Sequence, residues 1–323
     1  MSTASPPLST LDAGREMQSG ATVVRPRPWL AAWTLCRREW VRFIRQGNRV
    51  FAALGQPIIF WILLSGLLGT SFQMGGAHLA APNAAPIGQN APSTGENIAA
   101  ATNNIAAATP PSISYAQYFF PGTLVMIILF TAIFATISVI EDRREGFLQS
   151  VLVAPVPRWS VVTGKVLGGA LIALAHAAVF LLLCFTLNVP ITLLTVPAVL
   201  VLLFVIGIAL TSLGLAIAWP MQSTQGFHAI MMVFLLPMWL LSGAFAPPGN
   251  NWIGWIVRIN PLTYCLALLR RILYWGADPA VKDAVLAGLP STLVCTLVTV
   301  GFVVAMFALA WRVASVRTTG DAV

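Results

Sequence analysis

The chain has 323 residues, of which 58% are hydrophobic and only 9% charged, and its mean hydropathy is +0.83. One soluble core cannot bury so much apolar surface, so the composition excludes an ordinary soluble domain and predicts a membrane protein. The net charge of +8 comes from basic residues clustered beside apolar segments. This placement is typical of topology signals, and we expect no nucleic-acid partner.

The N-terminal part of the chain is polar and then becomes amphipathic. Residues 1–28 contain no apolar stretch behind their charges, which predicts a flexible cytoplasmic tail without a cleavable signal peptide. Residues 29–49 predict a helix in the membrane interface, with Trp33 and Trp40 on one side and Arg38 on the other. Two roles stay open for this helix: it anchors the first span, or it also supports a partner protein.

Long windows without any Asp, Glu, Lys or Arg follow, and a helix needs about 20 apolar residues to cross a bilayer. We predict a transmembrane domain over 50–317, with an Ala-, Asn- and Pro-rich external loop at 73–114 that buries too little apolar area to be ordered. Most of the basic residues then lie on the side of the two termini, which predicts that both termini are cytoplasmic. The six predicted spans are 50–72, 119–140, 166–187, 196–219, 229–245 and 286–311.

A search for catalytic and cofactor motifs finds none. The sequence has no Walker A motif, no H-E-x-x-H, no C-x-x-C and no G-x-S-x-G, so we expect no enzyme activity, no metal and no cofactor bound by this chain. A secondary carrier would need charge inside the spans, and a polytopic lipid-processing enzyme would need paired carboxylates or clustered histidines. Both remain as alternative functions. His176, inside the third predicted span, is either a proton relay or a helix-packing residue.

The connection between the second and third predicted spans carries the most information. Five consecutive charged residues at 141–145 precede an apolar pattern at Phe147, Leu148, Val151 and Leu152. This pattern predicts a short amphipathic helix that docks into a groove on a partner, and the alternative is an ordinary charged loop. Lys165, at the start of the next span, is either part of this site or an anchor that snorkels to the interface.

Two blocks of residues stand out, the first beginning with the charged run and the second near the last predicted spans. They consist of Glu141 to Gly146, Pro155, Arg158, Gly164 and Lys165, then Pro237, Leu241 to Gly243, Pro247, Asn260 to Tyr264, Leu269 and Arg270. In this order the two blocks resemble the ABC-2 type permeases, the membrane subunits of bacterial ABC exporters of the multidrug and daunorubicin-resistance kind. Phe147 stands where that family usually has Thr, and the 73–114 loop is longer than in most relatives.

The resemblance implies an all-α polytopic membrane protein with six transmembrane helices, an N-terminal amphipathic helix, and short re-entrant or external helices between spans five and six. It implies a multi-pass protein of the bacterial inner membrane that exports a hydrophobic or amphipathic substrate such as a drug, a lipid or a glycan. The implied partners are membrane lipids, a second and identical permease copy, and two copies of a cytoplasmic P-loop ATPase that binds ATP and Mg.

Three sets of candidate site residues follow. The substrate path is suggested by aromatic and Met side chains, whose alternative role is to face lipid or pack helices. The resemblance implies ATPase coupling through Glu141, Arg143, Arg144, Glu145 and Gly146, and secondarily through Arg37, Arg38 and Arg42. It implies an external gate formed by Ser242, Gly243, Asn260, Pro261, Tyr264 and Arg270. The expected path consists of Phe60, Trp61, Met126, Phe130, Phe234, Met238 and Trp239.

Overall fold

A computed structural model describes residues 27–69, 113–187, 189–245 and 252–316 of the chain. The predicted tail 1–28, except for its last two residues, and the predicted external loop 73–114, except for its last two residues, lie outside these ranges. The described residues form helices joined by short connections. The helices are α1 (Pro28–Arg45), α2 (Gly47–Leu68), α3 (Tyr115–Arg144), α4 (Phe147–Val153), α5 (Arg158–Leu181), α6 (Val196–Ala218), α7 (Thr224–Trp239), α8 (Trp252–Ile259), α9 (Pro261–Leu273), α10 (Pro279–Leu286) and α11 (Thr292–Ser315).

Within the described ranges, five helices are long and apolar enough to cross a membrane: α3, α5, α6, α7 with the turn that follows it, and α11. Helices α8 and α9 form a pair bent by 81°, because Asn260 and Pro261 break the helix between them. The predicted all-α polytopic architecture is therefore confirmed. The predicted first span corresponds to α2, whose apolar part, Ala53–Leu68, is shorter than the other five. The assignment of α2 as a span stays a prediction.

Helix α3 forms the centre of the bundle and packs against α2, α5, α6 and α7. Its side chains are buried on all sides, which explains why its sequence shows no amphipathic pattern. Helix α11, by contrast, leaves most of its apolar residues exposed, among them Leu293, Leu297 and Val304. Exposed apolar side chains along a whole helix are expected where lipid replaces water as the solvent.

Small residues let α5 approach its neighbours closely. Gly169, Ala173 and Ala177 are buried where α5 meets α3 and α6. A Cβ atom added at Gly169 would come within 2.6 Å of the Thr211 methyl group on α6. Packing between transmembrane helices depends on such close approach of backbones. This side of α5 is therefore a helix-packing surface.

Replacing Gly169 by Val should destabilise the bundle, because the added methyl groups would overlap Thr211 in a packed interior. Overpacking of this kind costs about 1–3 kcal/mol. Gly301→Val on α11 is the matched control, since a Cβ there meets no atom within 4 Å. Thermal unfolding of the two purified variants in detergent measures the difference. Equal melting temperatures for the two variants would contradict the packing role.

Several helix ends differ from the predicted span boundaries. Helix α7 begins at Thr224, five residues before the predicted span, and α11 begins at Thr292, six residues after its predicted start. Two other differences involve charged residues. Helix α3 continues through the charged residues to Arg144, and α5 begins at Arg158, eight residues before the predicted span. A window that counts apolar residues ends at the first charged residue, so it misses these terminal helical turns. Charged residues such as Arg and Glu nevertheless form helices well, and partners on other elements compensate their charges here. Gly146 ends the α3 segment with φ of +75°, a left-handed conformation that suits glycine after a helix.

Candidate functional site

Charged side chains from three helices meet where α1 crosses the ends of α3 and α5. We call Arg38, Glu39 and Arg42 of α1, Asp142 of α3 and Lys165 of α5 the charge cluster. The Asp142 carboxylate is fully buried at its centre. It accepts hydrogen bonds from both terminal nitrogens of Arg38, at 2.7 and 3.0 Å, from Arg42 Nη1 at 2.6 Å, and from Lys165 Nζ. Three cations thus neutralise one buried carboxylate.

The Lys165 side chain on α5 is buried between helices, whereas a snorkelling anchor would extend its ammonium group to the surface. Its Nζ donates to Glu39 Oε1 at 2.6 Å and to Ser138 Oγ at 3.4 Å, as well as to Asp142. Helix α1 can come this close because glycines flank Lys165 on α5: a Cβ at Gly168 would lie 2.9 Å from the Glu39 Cβ. A buried ammonium group needs such anionic partners to offset its desolvation. The geometry therefore supports the alternative in which Lys165 is part of the charge cluster and not an interfacial anchor.

The exposed rim of the cluster leads to α4. Arg42 Nη2 donates to Glu141 Oε2 at 2.9 Å and to Glu145 Oε1 at 3.4 Å. The Arg38 guanidinium lies 3.6 Å from the centre of the Phe147 ring, and its hydrogen bonds with Asp142 raise its pKa above the ordinary value. Phe147, which departs from the family pattern, therefore connects α4 directly to the cluster.

Helix α4 has one buried side and one exposed side, as its sequence pattern predicts. Leu148 is buried and packs with Val139 of α3 and Trp219 after α6, and Val151 is half-buried beside them. On the other side Val153 is 87% exposed at the end of the helix. An apolar side chain held out by a short helix is a surface suited to docking on another protein.

The remaining coupling candidates lie around this site. Arg143 Nη1 donates to the Met221 carbonyl at 3.4 Å, and Arg144 Nε donates to the Gln222 carbonyl at 3.0 Å. They therefore join the end of α3 to the connection between α6 and α7. Arg37 is exposed on α1 and takes no part in the charge cluster. None of these contacts tests a role in coupling, which stays a prediction.

Sequence reasoning did not select Asp142 and Glu39, the two buried acids of the cluster. A signal for Glu39 exists in the sequence: it lies four residues after Leu35 and four before Phe43, on the apolar side of α1. A carboxylate on a buried helix face requires a cationic partner from another element. The partner, Lys165, lies 126 positions away, so no local pattern identifies it.

The six predicted gate residues meet at one junction, which consists of the turn Leu240–Ala244, the connection at Asn260, and α9. Gly243 has φ of +81°, and its carbonyl accepts a hydrogen bond from Arg270 Nη2 at 2.9 Å. Arg270 is buried, and its guanidinium lies 4.2 Å from the centre of the Tyr118 ring. We call the turn Leu240–Ala244, the connection at Asn260 and α9 together the junction. Ser242 is also buried there and donates to the Trp239 carbonyl at 2.6 Å.

Three further gate residues shape the bent pair. The Asn260 side chain accepts a hydrogen bond from the Leu262 backbone N–H at 3.0 Å, and it donates to the Met238 carbonyl on α7. Pro261 occupies the first position of α9, where no hydrogen-bonded N–H is needed. The Tyr264 hydroxyl donates to the Arg258 carbonyl at 2.7 Å. The second block of the sequence thus defines one bent structure, whose role as a gate stays a prediction.

The predicted path residues have several different surroundings. Phe60 lies 6.0 Å from Trp239, ring centre to ring centre, in an aromatic group with Phe119 and Phe245. The other members do not join this group. Trp61 contacts Phe180, Met126 and Phe130 are buried within α3, Met238 is half-buried, and Phe234 is exposed on α7. The geometry of one chain does not assemble these side chains into one passage, and the path also stays a prediction.

Metal-binding chemistry was searched for in residues 27–69, 113–187, 189–245 and 252–316. No group of three or more His, Cys, Asp or Glu side chains converges there on a common point. Cys36, Cys184, Cys265 and Cys295 are buried and free. His176 lies 3.4 Å from the Thr131 hydroxyl and packs edge-on to Phe43 of α1. These contacts are those of a helix-packing residue.

Comparison with known proteins gives the family. The family model described as "ABC-2 type transporter" matches residues 31–274, a range that includes both the charge cluster and the junction. The chain belongs to the ABC-2 type transporter family. With several helices that are long and apolar enough to cross a membrane, it is a multi-pass membrane protein of this family. Proteins of this kind work in general with a partner ATPase.

Two individual proteins that are similar to the chain are named as permeases, in agreement with the family. The ABC-2 type chain is 26% identical over 205 residues to the "Probable multidrug ABC transporter permease YbhR" of Escherichia coli, covering 61% of this chain and 54% of that protein. It is 29% identical over 149 residues to the "Inner membrane transport permease YhhJ" of the same species, covering 43% of this chain and 38% of that protein. The chain therefore spans about half the length, or less, of these relatives.

Proposed function

We propose that the chain is the membrane-spanning permease subunit of an ATP-driven exporter that works by alternating access. Its substrate is hydrophobic or amphipathic, such as a drug, a lipid or a glycan, and leaves from the cytoplasm or the inner leaflet of the bacterial inner membrane. ATP and Mg bind to a separate cytoplasmic P-loop ATPase. The observation that carries the proposal is the charge cluster, which joins the exposed helix α4 to α1, α3 and α5.

Force applied to α4 has a defined route into the membrane helices. Val153 and the half-exposed Glu145 form a surface where the ATPase can dock. From α4 the route passes through the Phe147 ring to Arg38, and from Arg38 through Asp142 to Lys165. Buried ion pairs with several hydrogen bonds resist small displacements, because a shift would leave charges unpaired. Helices α1, α3 and α5 should therefore move as a unit with α4.

Helix α3 also reaches the second site. Tyr118 at one end of the helix contacts Arg270 of the junction, and Asp142 near the other end belongs to the charge cluster. The two residues are 24 positions apart, which corresponds to about 36 Å at 1.5 Å per residue of helix. Rigid-body tilting of one such helix would move both ends together. This supports a mechanism in which ATP binding on one side of the membrane opens the junction on the other.

Two permease copies and two ATPase copies form the proposed complex. One chain brings only Phe60 and Trp239 of the seven path residues into one aromatic group, so a passage between two identical chains fits the sequence better than a passage within one. The mass of the purified complex measures this composition. A complex that contains one permease chain would contradict the paired arrangement.

Val153→Glu should weaken the docking of the ATPase by at least about tenfold, because a charge would replace the exposed apolar side chain at the contact. The measurement is the amount of P-loop ATPase, and of ATP hydrolysis, that is retained with the tagged chain in mild detergent. Melting temperature should not change, since Val153 is 87% exposed.

Leu193→Glu is the matched control, since Leu193 is equally exposed but lies in the connection between α5 and α6, on the predicted outer side. It should retain the ATPase fully. A chain that purifies alone and still transports would overturn the proposal and reopen the secondary-carrier alternative. Equal retention by the two variants would remove α4 from the docking surface.

A further inference from the structure

Helix α1 borders an apolar trough that the proposed export mechanism does not use. The trough lies between α1, α5 and α6, has a volume of about 620 Å³, and is lined on the α1 side by Trp33 and Trp40. Leu174 and Ala178 of α5 line the opposite wall. A smaller cavity of about 220 Å³ adjoins it, sharing Trp40 and Ala175. Trp33 is 64% exposed, although exposed Trp is unfavourable in water.

A basic groove runs along the same helix. Its volume is about 720 Å³, and the lining includes Arg37, Arg38, Arg42 and Arg45. Arg38 and Arg42 are neutralised by Asp142 and other carboxylates, whereas Arg37 and Arg45 form no ion pair with any residue in the described part of the chain. Arg37 lines both the trough and the groove. It therefore places a free positive charge at the border between an apolar and a basic surface.

We propose that the trough and Arg37 together bind one anionic phospholipid. An acyl chain would occupy the trough, and the phosphate would pair with the Arg37 guanidinium, which matches phosphate oxygens in geometry and charge. The indole rings of Trp33 and Trp40 suit the boundary between acyl chains and headgroups. The two attractions, apolar burial and charge pairing, are the two signals that stable lipid binding requires.

The lining of the trough favours a lipid over a protein segment. Apart from Arg37 and the Cys36 thiol, the residues that line it are apolar or aromatic. An extended peptide placed there would leave its backbone N–H and C=O groups without partners, at a cost of several kcal/mol for each group in an apolar setting. An acyl chain has no polar groups to satisfy. The inference does not depend on the source of energy for transport, and the coupling role of Arg37 stays a prediction.

Native mass spectrometry of the full chain in mild detergent tests the site. Wild-type protein should retain phosphatidylglycerol about tenfold better than phosphatidylcholine, because the choline cation offsets the charge of its phosphate, whereas phosphatidylglycerol keeps a net negative charge. Arg37→Gln should lose that preference, since a neutral amide does not distinguish the net charges of the two headgroups. Arg312→Gln is the matched control, an exposed arginine at the end of α11, and should behave as wild type. Equal retention of both lipids by wild type, or an unchanged preference in Arg37→Gln, would overturn the proposal.

A second variant tests the trough separately. Ala178→Phe should fill it and reduce phosphatidylglycerol retention about tenfold, while Ala305→Phe on the exposed side of α11 should not. Glycerol phosphate, the headgroup without acyl chains, should fail to displace the lipid. Displacement by glycerol phosphate would indicate a site for free anions and would overturn the proposal. Ala178→Phe should retain the ATPase, because it leaves α4 and the charge cluster unchanged, so a failure here is distinct from a failure of the export proposal.

Discussion

Replacing Lys165 by Met should lower the stability of the protein by about 3–5 kcal/mol, the usual cost of breaking a buried ion pair from one side. The Glu39 carboxylate would remain buried near Asp142 with no ammonium group between the two acids. The double variant Glu39→Met with Lys165→Met should recover most of this loss. Replacing both members of a buried pair by apolar residues of similar size is often close to neutral.

Thermal unfolding in detergent, followed by loss of the monodisperse peak, measures the three variants. Lys282→Met on α10 is the matched control for a Lys to Met change outside the cluster, and it should have little effect because its side chain is partly exposed. A double variant no more stable than Lys165→Met alone would contradict the pairing of Glu39 with Lys165. The deciding quantity is how much of the stability lost in Lys165→Met is restored by the second substitution.

Arg270→Lys should destabilise the junction by about 3 kcal/mol, although the charge is kept. Lysine has no planar guanidinium, so it cannot stack on Tyr118 and hydrogen-bond the Gly243 carbonyl at the same time. Loss of a hydrogen bond from a charged donor costs about 1.5–3 kcal/mol, and a desolvated cation–π contact contributes about 2 kcal/mol. The Tyr118 hydroxyl, at 3.5 Å, remains as the other donor to the Gly243 carbonyl. Thermal stability and transport should therefore fall together.

Arg258→Lys is the control for this substitution. Arg258 also lies over an aromatic ring, that of Trp255 at 5.5 Å, but both side chains are exposed at the surface of α8. Its replacement should change the melting temperature little, since exposed contacts of this kind are weak. If Arg258→Lys and Arg270→Lys have equal effects, the buried arginine does not hold the turn Leu240–Ala244 in place.

Local patterns in the sequence predicted most of the elements. The apolar windows between charged residues correspond to α3, α5, α6, α7 and α11, and the break at Asn260 and Pro261 separates α8 from α9. The spacing of Phe147, Leu148 and Val151 predicted α4. These features depend on residues close together in the chain, so hydrophobic periodicity and helix-breaking residues suffice to predict them.

The helix ends were predicted less well, for an electrostatic reason. Charged residues at 141–144 and 158–165 end an apolar window, yet both stretches are helical in the structure. Their charges are compensated by side chains and carbonyl groups of other elements, such as the Ala314 carbonyl that accepts from Arg158 at 2.7 Å. A sequence pattern that counts charges along the chain contains no information about these distant partners.

The sequence by itself therefore determined the membrane class, the helical segments, the family resemblance and the two blocks that contain the candidate sites. Only the tertiary structure decided which charged side chains form ion pairs with each other. Asp142 and Lys165 are 23 positions apart and pair because α3 packs against α5. Glu39 and Lys165 are 126 positions apart, and their pairing depends on the close approach of α1 to α5 at Gly164 and Gly168. Burial makes these pairs obligatory, and burial is a property of the packed bundle rather than of any one segment.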